Sequence, residues 1–181
     1  MKDILRYLKV KESSPDLELQ IAEMQKLVNE KITPQYKYAL VGIEQVDKGI
    51  RILNTNIILT GELAKKHFID DSKIAIILAT LTLQSELLLK RTFARSASLG
   101  VILDAVLTDT IEKYLDKVEI ELKSKLGGDK KPRISCGYGD LPLELEKDLF
   151  KLVEGEQLGV SINDSFMKSP NKSVIALIGI K

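Results

Sequence analysis

The chain has 181 residues, of which 44% are hydrophobic and 29% charged, an ordinary balance for a globular protein with a substantial core. Its formal net charge of +1, with lysines scattered among acids, argues against a nucleic-acid footprint, and no apolar run approaches the ~20 residues that a membrane span needs. Met1 to Arg6 lacks the apolar stretch of a secretory signal, and a single cysteine excludes an intrachain disulfide. A cytoplasmic protein with one domain over residues 1–181 is therefore expected.

In chain order, Asp3 to Lys9 predicts a short helix. Asp16, after Pro15, opens a longer one with apolar positions at Leu19, Ala22, Met24, Leu27 and Val28, running to about Asn29 and stopped by Pro34. Residues 36–59 are rich in Tyr, Val and Ile and are broken by Asp47-Lys48-Gly49 and Asn54-Thr55-Asn56, which predicts a hairpin or meander. A short helix follows from Leu63 to Phe68. Lys73 to Leu83 is almost wholly apolar and β-branched, the pattern of a buried central strand. Gln84 to Arg95 predicts a helix. Ala97 to Leu126 predicts a longer one, with a stripe through Leu99, Ile102, Leu103, Val106, Leu107, Thr110, Tyr114 and Val118. Asp104 and Asp109 fall at the margins of that stripe, and Gly127-Gly128 ends the helix. Gly127 to Pro132 lacks the spacing of a phosphate-binding loop and reads as a flexible connector. Short strands near Gly159 to Ile162 and Ser173 to Ile180 complete an α+β domain whose twisted sheet is mainly antiparallel, with the 97–126 helix packed on it.

The most informative stretch lies at residues 133–146, Arg-Ile-Ser-Cys-Gly-Tyr-Gly-Asp-Leu-Pro-Leu-Glu-Leu-Glu. Pro142 near a helix start, Glu144 and Glu146 in its first turn and the Leu145, Leu149, Leu152 stripe predict an amphipathic helix. Ahead of it, Gly137 and Gly139 permit a sharp turn or a close backbone approach to a ligand. Arg133 offers a planar fork of donors suited to a carboxylate, and Tyr138 a flat ring with one hydroxyl. These are the parts of a small-molecule cradle; by spacing alone they equally describe a surface loop with a solvated arginine.

The arginine, two variable residues, a position that is usually proline, then Gly-Tyr ahead of a Pro-started helix resemble the ligand loop of the activation domain of cobalamin-dependent methionine synthase, in its stand-alone form. Asn163-Asp164-Ser165-Phe166-Met167-Lys168-Ser169-Pro170-Asn171-Lys172-Ser173-Val174 resembles a second family segment at the expected distance. Ala79-Thr80-Leu81 and Leu103-Asp104-Ala105 extend the match through residues 74–122. The resemblance implies an S-adenosylmethionine-binding subunit that supports reductive remethylation of cob(II)alamin on a separate methionine synthase, with electrons from a flavodoxin-type reductant. It implies a ligand site at Arg133, for the amino acid carboxylate, with Ser135, Gly137 and Tyr138, and an acidic contributor at Asp109, one turn from Glu112. An acid there suits a ligand that carries an ammonium and a sulfonium.

The departures from the family are specific. Cys136 stands where proline is usual, which implies a less rigid loop. The family pattern continues past the point matching Lys181 and includes a further ligand-contacting tyrosine, so a more open site, or one completed by a partner, is implied. Cys136 has no evident partner base for catalysis. His67, the single histidine, is far from it in sequence, so no metal site is recognisable and the corrinoid is expected on another polypeptide. Two other readings stay open. A free-standing S-adenosylmethionine methyltransferase lacks support, since no Gly-x-Gly-x-Gly follows a first strand. A reactivation or interaction module for another corrinoid methyltransferase, binding no S-adenosylmethionine itself, fits the missing C-terminal contact.

Overall fold

A computed structural model describes residues 2–128 and 130–181; Met1 and Asp129, the latter in the expected connector, lie outside the described residues. The helices and strands run in the order α1 (Lys2–Tyr7), α2 (Pro15–Lys31), β1 (Gln35–Val46), β2 (Gly49–Ile52), β3 (Ile58–Thr60), α3 (Glu62–His67), β4 (Lys73–Thr80), α4 (Thr82–Arg95), α5 (Ala97–Leu126) and α6 (Leu145–Leu152), and after a 3-10 turn at Gly155–Leu158 come β5 (Ser161–Ile162), β6 (Lys168–Ser169) and β7 (Ser173–Ile180).

Five strands form one sheet in the order β3-β2-β1-β4-β7, and every pairing is antiparallel. This is the expected α+β architecture. The apolar run from Lys73 becomes an interior strand, one in from the β7 edge, with β1 the middle strand of the five; it is apolar throughout because β1 and β7 flank it and both of its faces are covered. Alternation along β4 and β7 then divides the interior in two. Ala75, Ile77, Ala79, Ala176, Ile178 and Ile180 pack under α1, α2 and α5. Ile74, Ile76, Leu78, Ile175 and Leu177 pack on the opposite face with Phe68, Ile134, Leu141, Leu149 and Phe150. The loop from Arg133 belongs to this second layer.

Helix ends follow local chemistry. Ser14 accepts the Leu17 N–H at 3.2 Å with Pro15 in the first turn of α2. Ser96 accepts the Leu99 N–H at 3.3 Å to start α5, and Gly127, left-handed at φ 75°, ends it. Two expected boundaries shift. Lys73 to Leu83 divides after Thr80: the Thr82 N–H bonds the Thr80 hydroxyl at 3.0 Å, and α4 starts at Thr82 rather than Gln84. The helix expected from Pro142 starts at Leu145, because Leu141 closes the preceding loop and Leu143 and Glu144 form a turn whose Leu143 carbonyl accepts the Glu146 N–H at 3.0 Å.

Candidate ligand-binding site

The Arg133 loop is fixed at three points. Ile134 makes a two-way main-chain bridge with Leu177 of β7, at 3.0 and 2.8 Å. Its neighbour Arg133 then reaches the flank of α5, while Ile134 and Cys136 join the α3/α6 layer. The turn that follows is closed by the Gly137 N–H to the Leu141 carbonyl at 2.8 Å, with Gly137 at φ 86°. A side chain at that φ is strained, so glycine suits it. Asp140 accepts the Glu62 and Leu63 N–H groups at 2.6 and 3.0 Å, tying the turn to the start of α3. Those two bonds hold the Asp140 carboxyl below its ordinary pKa. The Tyr138 side chain remains exposed at the tip of the turn.

Arg133 meets three carboxylates of α5. Nη1 donates to Asp116 Oδ1 at 2.6 Å and to Glu119 Oε2 at 2.8 Å, and Nη2 donates to Glu112 Oε2 at 2.8 Å. Burial alone would lower the guanidinium pKa, but these bonds outweigh it and raise the value above the ordinary one. The three acids differ in setting: the Glu119 side chain is 13% exposed, that of Glu112 43% and that of Asp116 60%. Glu119 also accepts the Arg133 main-chain N–H at 3.0 Å and Lys123 Nζ at 2.7 Å.

Of the expected site residues, Arg133, Ser135, Gly137 and Tyr138 sit together in this loop. Asp109 is buried on α5 and accepts Lys113 Nζ at 2.7 Å, beside a groove of about 510 Å³ between α2 and α5 that includes Gln25, Asn29 and Tyr114. The acids that reach Arg133 are therefore Glu112, Asp116 and Glu119. Their spacing of four and three residues places them on one helix face, a signal present in the sequence. Asp104, the other acid at the stripe margin, pairs with Lys172 at 2.8 Å.

Behind the loop lies a buried charge pair. Glu146 of α6 and Lys168 of β6 approach to 2.6 Å with side chains 7% and 13% exposed. Cys136 is buried nearby, and burial, followed by the Glu146 charge, pushes its thiol up to about 12. That is the opposite of an activated nucleophile. The second family-like segment forms a turn in which Asn163 Oδ1 accepts the Ser165 and Met167 N–H groups at 2.9 and 3.0 Å. Among the described residues, no group of three or more His, Cys, Asp or Glu is placed to hold a metal ion, and no helix is long and apolar enough to cross a membrane.

The five-stranded antiparallel sheet with helices packed on it has the fold of a methionine synthase reactivation domain. The particular likeness is to the crystal structure of the MetH reactivation domain bound to AdoHcy, with a TM-score of 0.73, 14% identity, and coverage of 97% of this chain and 72% of that one. At that identity the likeness establishes the fold. No family model and no curated protein matches the sequence.

Proposed function

We propose that this chain is an S-adenosylmethionine-binding reactivation subunit that supports reductive remethylation of cob(II)alamin carried by a separate cobalamin-dependent methionine synthase. The observation that carries the reading is the fold, shared over 97% of the chain with a reactivation domain whose structure holds AdoHcy. The Arg133 loop adds chemical support. Its two most exposed partners, Glu112 and Asp116, are of the surface type worth ~0–1 kcal/mol each, so a ligand carboxylate can replace them at the guanidinium. Released, they would supply negative charge to a ligand that carries an ammonium and a sulfonium. Tyr138 offers an exposed ring, held at the tip of a turn in which the Gly137 N–H bonds the Leu141 carbonyl and the Ser135 carbonyl accepts the Tyr138 N–H. The methyl group would leave the sulfonium for the partner's corrinoid, with one electron from a flavodoxin-type reductant. This chain's part is to bind and orient the donor.

One observation favours a second reading, a reactivation or interaction module for another corrinoid methyltransferase that binds no S-adenosylmethionine: all three carboxylates already occupy Arg133. Calorimetric titration with S-adenosylmethionine separates the two. Measurable uptake supports the first reading, and its absence leaves the second. The reactivation role is tested by mixing the chain with a cobalamin-dependent methionine synthase in its cob(II) state, a reductant and S-adenosylmethionine. Methylcobalamin should form spectroscopically at a rate that rises with the amount of chain added, and an unchanged rate would remove the reactivation role.

A further inference from the structure

We propose that Glu119 is the positioning residue of the ligand loop: one carboxylate fixes both the main chain and the guanidinium of Arg133, and so sets where a ligand carboxylate can be received. The inference rests on the reading of Arg133 as a ligand residue. Glu119 differs from the other two acids in what it holds. Oε1 accepts the Arg133 main-chain N–H at 3.0 Å and Lys123 Nζ at 2.7 Å, while Oε2 accepts Arg133 Nη1 at 2.8 Å. Glu112 and Asp116 contact the guanidinium from exposed positions. A carboxylate that is 13% exposed and holds three donors is charge-assisted and shielded from solvent, whereas contacts at 43% and 60% exposure compete with water. Burial alone would raise the Glu119 pKa, but the bonds from Lys123 and Arg133 overcome it and keep the carboxyl below its ordinary value, so it remains an anion. Lys123 also donates to the Lys131 carbonyl, so the same lysine braces the acid and the approach to the loop.

The geometry separates two functions of one side chain. The Oε1 bond sets the main-chain course where Ile134 enters its bridge with Leu177. The Oε2 bond sets the plane of the guanidinium. Glutamine at this position keeps an acceptor for the main-chain N–H but replaces the charge that the guanidinium meets. Alanine removes both.

The test uses the full chain, with Glu119→Gln, Glu119→Ala, Arg133→Ala and the Glu119→Gln/Arg133→Ala pair, each checked for folding by circular dichroism. In the ligand-free protein, amide exchange at Arg133 should rise roughly tenfold or more in Glu119→Ala and stay near the unsubstituted value in Glu119→Gln. With S-adenosylmethionine, Glu119→Gln should weaken binding roughly tenfold when Arg133 is present and leave it unchanged in the Arg133→Ala background, because its effect passes through the guanidinium. Equal weakening in both backgrounds, or Arg133 amide exchange unmoved by Glu119→Ala, would overturn the positioning role. If the unsubstituted chain takes up no S-adenosylmethionine, the functional reading fails by itself and the exchange data alone decide the role of Glu119.

Discussion

Replacing Lys168 by methionine should be among the most damaging single changes near the loop. Lys168 keeps the Glu146 carboxylate company at 2.6 Å, and the two side chains are 13% and 7% exposed. Removing the lysine charge strands a carboxylate where water barely reaches it, and stranding one partner of a buried pair costs about 3–5 kcal/mol. Against a total stability of ~5–15 kcal/mol, that is a large fraction. For a chain of this length, each kcal/mol moves the melting temperature by about 2–4 °C, so a fall of roughly 6–20 °C is expected. Replacing both partners by neutral groups of similar volume, Glu146→Gln with Lys168→Met, removes the stranded charge and should restore most of the loss. Thermal denaturation followed by circular dichroism measures both variants beside the unsubstituted protein. A Lys168→Met melt within a degree or two of the unsubstituted protein, or a double variant no better than the single, would refute the view that this pair braces the back of the loop.

Three further outcomes follow from the same geometry. Arg133→Ala should weaken S-adenosylmethionine binding roughly tenfold or more, and Arg133→Lys should recover only part of it, since a planar fork becomes a point charge; calorimetry giving equal affinities would remove Arg133 from the site. The Cys136 thiol, buried with its pKa pushed up to about 12, should resist a disulfide reagent at neutral pH until the protein is denatured, and prompt labelling of the folded chain would contradict that burial. Asp140, with its carboxyl held below the ordinary range by the Leu63 and Glu62 N–H groups, contributes stability that is fully present above the unfolded carboxyl pKa of ~4 and is lost as pH falls through the folded value. The melting-temperature gap between the unsubstituted protein and Asp140→Ala should therefore narrow as pH drops from 6 toward 2, and a gap that widens in acid would reverse the assignment.

Much of the fold is legible because its signals are local. The 97–126 helix is bounded as expected, since Ser96 caps one end and Gly127 the other. The buried run from Lys73 marks an interior strand because a strand covered on both faces needs no polar alternation, though its apolar character does not say that β1 is the middle strand. The start of α6 is less legible. Pro142 fits a first turn, but the Gly137–Leu141 bond draws the preceding residues into a closed loop, and the helix waits until Leu145. The partners of Arg133 are the harder case. Their spacing on α5 is visible, but which acids reach the arginine depends on Ile134 meeting Leu177, a contact 43 positions apart in the numbering. Asp109 is drawn from the resemblance, and it sits one turn away on the same helix with Lys113 as its partner.

That single bridge also explains why the cradle residues alternate as they do. Ile134 pairs with the β7 edge as a one-residue extension of the sheet, so its side chain and that of Arg133 are sent to opposite sides. Ile134 goes to the apolar layer with Leu177 and Phe150, and Arg133 goes to the acids of α5. A slip of one residue would exchange them, placing a guanidinium in an apolar layer and an isoleucine among carboxylates. Both outcomes are costly: an unpaired charge would be buried and Glu119 would lose its main partner. The register of the loop is thus set by the chemistry of its first two residues before the glycine turn begins. The turn has only to close between Gly137 and Leu141 and to present Tyr138 outward.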